Sequence, residues 1–309
     1  MNVTISVFRA CAGGYVGGGH VHPALLDAAR EALAGAKESR SVADGFVARC
    51  GDDIDLVLLH PPSAEARSVA LNVFGKAASA GSRLRQHGGN GGVKVDGAEL
   101  SFLARPSEPV LCLFTNKAPA GAWNLLAYRM FADPFVTPSL VSDPAVREGF
   151  GFVVEDPSGN VVSRFDVPVD LYRLLGALRS GFVTQVFSRA TGELAAVVSR
   201  GADPMMAIRC ERPFPTVEDA LEGFVAQAAT ACADGVLVPV SGNGDASARS
   251  IPRAMGLGFQ VTPDRLVGPR DLLGDAAFED LRRTALAAAR ATRTSAVLTA
   301  PGREVPSTL

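Results

Sequence analysis

Lysine is scarce in this sequence: 4 of the 30 basic residues are lysine and the other 26 are arginine. The bias itself fits a GC-rich coding sequence. Its chemical consequence is that only Lys37, Lys76, Lys94 and Lys117 could form a Schiff base with a carbonyl compound. Long apolar runs are also missing. No segment approaches the roughly 18–20 uninterrupted apolar residues of a membrane helix, and residues 1–10 lack the charged start and apolar run of a secretory signal. The cytoplasm is therefore the expected compartment. The five cysteines, Cys11, Cys50, Cys112, Cys210 and Cys232, form no C-x-x-C pair, which argues against a structural zinc ribbon and for free thiols. The 30 basic residues form no long run and the net charge is −2, so neither nucleic acid nor a membrane surface is an expected partner. The glycine-rich stretch Gly13–Gly19 lacks the G-x-G-x-x-G spacing of a dinucleotide-binding turn.

What is present is a chain of 309 residues, 47% apolar and 20% charged, long enough for a substantial core. Alternation of apolar and polar residues predicts a strand at 3–8, and strand-like runs follow at 42–50, 54–60, 100–104, 110–115, 150–155, 161–166, 182–188, 194–199, 205–210 and 235–240. Pro23 opens a helix with Leu25, Leu26, Ala29 and Leu33 on one face. Ser63 is placed to cap a second helix from about Ala64, and further helices are expected at 123–131, 169–179, 216–232 and 271–292. Residues 87–97 and 241–250 read as loops. Strands outnumber helices and come in adjacent pairs. This favours a mixed α/β fold on largely antiparallel sheets, in a single domain spanning 1–309.

Three features could carry chemistry. Asp52-Asp53 stands at the junction of two apolar strands. Adjacent carboxylates repel, so they either bind a hard cation such as Mg²⁺ or sit solvated in a turn. His20 and His22 could face one site if extended, as metal ligands or an acid–base pair; alternatively His22 fixes the helix start. The glycine-rich turn could hold an anion on its N–H groups or simply need glycine for its backbone angles.

Several blocks, taken together, resemble the archaeal-type fructose-1,6-bisphosphate aldolase/phosphatase family. They are Arg9–Gly14 with Val21-His22-Pro23, Cys50–Ile54 with His60, Arg105–Pro109, and the run from Gly121-Ala122-Trp123-Asn124 to Asp133-Pro134-Phe135. Asp203-Pro204, Val238-Pro239-Val240 and Ala254–Gln260 follow in the family's order. The resemblance implies a layered α-β-β-α sandwich and an octameric assembly. It also implies an enzyme that joins two triose phosphates through a lysine Schiff base, then removes a phosphate with several Mg²⁺ ions held by aspartates.

The resemblance also marks departures. Asp52, Asp53 and Asp203 match metal aspartates of the family, and Lys117 matches a lysine. Cys11 and Asn116 stand where the family has aspartates, Gly18 where it has a histidine, and Val198 where it has a tyrosine. Gly201-Ala202 replaces the Schiff-base lysine and one aspartate, and Arg249 falls near a late aspartate. The family's glutamine loop is shortened at 87–97, and its C-terminal tyrosine has no counterpart in 294–309. Three aspartates suffice for one Mg²⁺ rather than a cluster.

The expected site is accordingly His20, His22, Asp52, Asp53, Cys11 and Tyr15 for catalysis. Lys117, Asn116, Arg249 and Asp203 are expected to bind substrate, and Asp52, Asp53 and Asp203 any metal that is held. Cys11 is either a nucleophile or a small buried filler. The leading expectation is a repurposed enzyme for carbon–carbon bond or cyclisation chemistry on a carbonyl substrate, in specialised metabolism. The alternatives are the family's own phosphatase/aldolase activity and a non-catalytic scaffold subunit.

Overall fold

The computed structural model describes residues 2–11, 20–62, 64–85, 94–103, 105–133, 148–209, 237–241, 252–274 and most of 279–287. Four strands form the first sheet in the order β2-β3-β1-β4: β1 (Asn2–Cys11), β2 (Asp44–Cys50), β3 (Asp53–His60) and β4 (Asp96–Leu103). All its pairings are antiparallel. Every side chain of β1 between its end residues is buried, on both faces. Phe8, Ala10, Ile54, Leu56 and Leu58 face α1 (Pro23–Glu38) and α2 (Ala66–Arg83), while Val3, Ile5, Val7, Val57 and Leu59 face a second sheet. This is the period-2 alternation of a strand with an apolar layer on either side.

Helix α1 buries Leu25, Leu26, Ala29, Leu33 and Ala36, one stripe at helical spacing. Each leucine so buried is worth about 1.5–3 kcal/mol over leaving it in water. Helix α2 begins after Glu65 with no side-chain cap, two residues later than Ser63 and Ala64 predict; Ser63 itself lies outside the described residues.

Among the described residues the second sheet has nine strands, ordered β11-β12-β5-β10-β9-β8-β6-β7, with β13 paired to β12. These are β5 (Glu108–Asn116), β6 (Phe150–Glu155), β7 (Val161–Val167), β8 (Phe182–Ser188), β9 (Leu194–Val198), β10 (Met206–Arg209), β11 (Val238–Pro239), β12 (Arg253–Thr262) and β13 (Arg265–Asp271). Among the described residues, only the short β11–β12 pairing is parallel. One face packs Val110, Cys112, Phe114, Ala207, Met255, Leu257, Phe259 and Val261 against the first sheet. The other carries Leu111, Leu113, Phe152 and Ile208 against α3 (Asn124–Phe131) and the short α4 (Leu171–Ala177). The molecule is thus layered helix, sheet, sheet, helix, as the resemblance implies.

The hairpin β12–β13 is not among the predicted strands. Gly256 and Gly258 interrupt the alternation of β12, and the turn lies at Pro263-Asp264. The helix predicted from 271 does not start there, because Asp271 ends β13; the described helical residues fall between 279 and 287. The helix predicted at 216–232 lies outside the described residues.

Candidate active site

The apolar layer between the two sheets turns polar where β1, β3, β5 and β12 end together. Along the inward-facing positions, Val7 is followed by Arg9, Val57 is preceded by Asp55 and Asp53, Phe114 leads to Asn116, and Met255 is preceded by Arg253. Register brings them close. Arg9 lies opposite Asp55, Cys11 opposite Asp53, and Arg253 opposite Asn116.

Arg9 is the hub. Its Nε donates to Asp55 Oδ1 at 2.8 Å, and Nη2 lies 2.7 Å from the same oxygen. Nε is also 3.6 Å from Asp53 Oδ2, and Nη1 donates to the backbone carbonyl of Asp203 at 2.7 Å, tying the two sheets together. Asp55 is fully buried, with Oδ2 lacking a hydrogen bond. Burial pushes its carboxyl up to about 7 against the pull of Arg9. Burial likewise raises Asp53, while Arg9 and the Asn116 amide pull it down. Burial also works against the Arg9 charge, but the charges of Asp55 and Asp53 outweigh it and hold the guanidinium protonated. Burial lowers the neighbouring Arg253, and it raises the Cys50 thiol, which stays neutral.

Asn116 joins the paired aspartates. Its Nδ2 donates to Asp52 Oδ1 at 3.0 Å and to Asp53 Oδ2 at 2.9 Å. The two-residue turn Gly51-Asp52 between β2 and β3 makes this possible. Gly51 has φ +67°, and a Cβ there would fall 2.2 Å from Asn116 Oδ1. Opposite, the Asp203 loop is clamped. Ala118 N donates to Asp203 Oδ1 at 2.5 Å, Asp203 N donates to Ala118 O at 2.9 Å, and Pro204 O accepts from Thr115 Oγ1 and Trp123 Nε1. Lys117 and Asp203 both have positive φ, 61° and 55°, a conformation that costs a non-glycine residue about 1 kcal/mol or more and gathers at functional sites.

Of the residues expected from sequence, Asp52, Asp53 and Asn116 are in direct contact, Cys11 pairs with Asp53 in the strand register, and Asp203 joins them through Arg9. Cys11 is exposed at the end of β1, which removes the buried-filler reading. Lys117 is exposed beside the Ala118–Asp203 clamp. His22 caps α1, accepting from Ala24 N on Nδ1 at 3.1 Å, the helix-start role. His20 is half-buried two residues earlier. Tyr15 and Arg249 lie outside the described residues. A groove of about 1110 Å³ between α1 and α2 takes in none of the predicted site residues, and those helices pack on the opposite face of the first sheet from the aspartates.

Sequence reasoning passed over Arg9, Asp55 and Arg253 as site residues. Asp55 carried a signal: a carboxylate inside a buried strand needs a partner, and Asp53, two residues earlier, shares its face. Naming that partner requires the register.

The resemblance implies Mg²⁺ among these donors. Mg²⁺ takes six oxygens at about 2.0–2.1 Å. Here Asp52 Oδ1 and Asp53 Oδ2 already accept from one amide, and Arg9 stands 3.6 Å from the second of them. Like unit charges about 4 Å apart repel by about 4 kcal/mol at an effective dielectric of about 20, and a dication doubles this. Among the described residues, no three His, Cys, Asp or Glu side chains are grouped to hold a metal ion. Both carboxylate oxygens are thus engaged by the amide, with Arg9 beside the second.

No helix among the described residues is long and apolar enough to cross a membrane. A family model described as fructose-1,6-bisphosphatase matches residues 2–304. The chain is 38% identical to the fructose-1,6-bisphosphate aldolase/phosphatase of Moorella thermoacetica, over 92% of this chain and 84% of that protein. It is 36% identical to the one of Ignicoccus hospitalis, over 91% and 82%, and 32% identical to the one of Methanothermobacter marburgensis, over 92% and 88%. With the layered fold and the placement of Asp52, Asp53 and Asp203 already established, these matches assign the chain to the fructose-1,6-bisphosphate aldolase/phosphatase family.

Proposed function

We propose that the chain is an enzyme that has kept the family scaffold and turned its aspartate-rich end to proton-transfer chemistry on a small carbonyl substrate, making or breaking a carbon–carbon bond or closing a ring. The supporting observation is the fixed carboxylate pair. Asp52 and Asp53 share one amide donor, with Arg9 and Arg253 beside them, where the inter-sheet layer ends. A held carboxylate is a general base for a proton α to a carbonyl, and nearby cations favour the enolate oxygen that results. Asp52, half-buried, is the better exposed of the two and takes the proton; Asp53 and Arg9 fix its surroundings. Lys117, exposed next to Asn116, binds the oxygen or an anionic group, the buried Arg253 adds positive charge behind the pair, and Cys11, opposite Asp53 at the strand end, completes the exposed set. The resemblance supports a route without a protein-bound Schiff base, since Gly201-Ala202 stands where the family has its lysine.

The family's own phosphatase/aldolase activity is the second reading. Its support is the match over residues 2–304 and the retention of Asp52, Asp53 and Asp203.

The test is an Asp52→Asn/Asp53→Asn double variant assayed on a panel of hydroxyketones, aldehydes and sugar phosphates. We expect the wild type to exchange the α-proton of a carbonyl compound with solvent deuterium and the folded variant to lose that exchange. Equal exchange in both would refute the carboxylate pair as base. Phosphate release without any exchange would favour the second reading.

A further inference from the structure

We propose that the Asn116 amide stands where a divalent cation would have to stand between Asp52 and Asp53, so that this chain holds its acid pair without a metal. One NH₂ group donates to one oxygen of each carboxylate, at 3.0 and 2.9 Å, and so bridges the pair by hydrogen bonds, with the positive charge left to Arg9 and Arg253. The direction of the amide is the informative part. Asn116 is 2% exposed, and its Oδ1 has no hydrogen-bond partner. An amide serving a cation would turn its hard oxygen toward the carboxylates' shared space and its NH₂ away. The carboxylates instead dictate the reverse orientation, at the expense of a buried acceptor left unbonded.

The surroundings enforce this arrangement. Gly51 leaves room for the amide and for nothing larger, since a Cβ there would meet Asn116 Oδ1 at 2.2 Å and Arg253 Nη1 at 3.0 Å. Arg253 lies directly opposite Asn116 in the sheet, and Arg9 lies 3.6 Å from Asp53. Two guanidiniums and an amide therefore supply what a metal would otherwise supply. The inference concerns the residues of the proposed reaction but does not depend on the substrate. It would stand if the chain proved to act on something other than a carbonyl compound.

The test measures binding rather than turnover. Full-length wild type, Asn116→Asp and Asn116→Ala are titrated with Mg²⁺ and with Mn²⁺ in a calorimeter, and each is melted in millimolar Mg²⁺ and in EDTA. The first variant restores a third carboxylate and the second removes the bridge. If one fails to fold, the other decides. The wild type is expected to give no saturable heat and the same melting temperature in both buffers. The variants are expected to bind the ion and to melt about 2–4 °C higher in Mg²⁺ than in EDTA. Saturable binding by the wild type that Asp52→Asn abolishes would overturn the proposal. So would folded variants that gain nothing from the ion, since the amide would then not be what keeps the cation out.

Discussion

The layer between the two sheets ends in buried charge on both sides, and the two ends are built differently. At one end Arg209 lies between Glu108 and Glu193 and over the ring of Phe102, 5.2 Å from its centroid. Glu108 and Arg209 are buried, and one cation serves two carboxylates. At the other end Asp52, Asp53, Asp55 and Asp203 gather around Arg9, Asn116 and Arg253, with the exposed Cys11 and Lys117 beside them. The first end closes the sandwich. The second carries carboxylates in excess, an amide with an orphaned oxygen and two residues in the left-handed region. Polar burial beyond what closure requires, together with backbone strain, separates a site from a staple.

The comparison is broken most severely at Arg9. Arg9→Met leaves Asp55 buried without its partner and is expected to cost about 3–5 kcal/mol in urea unfolding. An Arg9→Met/Asp55→Leu pair should recover much of that loss, showing that it is the stranded charge that destabilises. Next comes the contrast between the ends. Asp53→Asn should lower turnover by about 10²–10⁴-fold, the range of a lost acid–base arrangement, with the melting temperature nearly kept. Arg209→Met should do the opposite, lowering stability while the folded fraction keeps its kcat/KM.

Gly51→Ala comes third. It strains a residue at φ +67° and drives a methyl into the Asn116 amide, for about 1–3 kcal/mol and a loss of activity larger than that loss of fold explains.

The smallest effect is at Asp44, outside both ends. Its carboxylate is held below the usual range: burial opposes this, but the bond from Lys37 and the backbone N–H groups of Leu266 and Gly45 prevail. A carboxyl depressed in the fold contributes stability above its unfolded pKa and loses it as pH falls through the folded value. Asp44→Asn should therefore cost about 1 kcal/mol at neutral pH, a gap that closes below the ordinary carboxylate value of 3.8, as read by unfolding curves across pH.

Much of this was legible in the sequence. Alternation in Val3–Phe8 and Ile54–His60 and the stripe of α1 are local signals that tertiary contacts reinforce. The hairpin β12–β13 was not legible, because Gly256 and Gly258 remove the side chains that would show the period, and their place is set by packing against β5. The same division runs through the site. Asp52-Asp53 is visible as an adjacent pair, and the resemblance marks Asn116. That Arg9 answers Asp55, and that the amide of Asn116 spans the pair, are facts of register between strands more than 40 residues apart in the chain.

The most direct test of the account is phosphate release from fructose 1,6-bisphosphate by one purified sample, in Mg²⁺ and in EDTA. A scaffold retained with its acid pair held by an amide predicts no release above background in either buffer. Steady release that Mg²⁺ supports and EDTA abolishes would contradict it, and would mean that the family's metal chemistry survives in this chain.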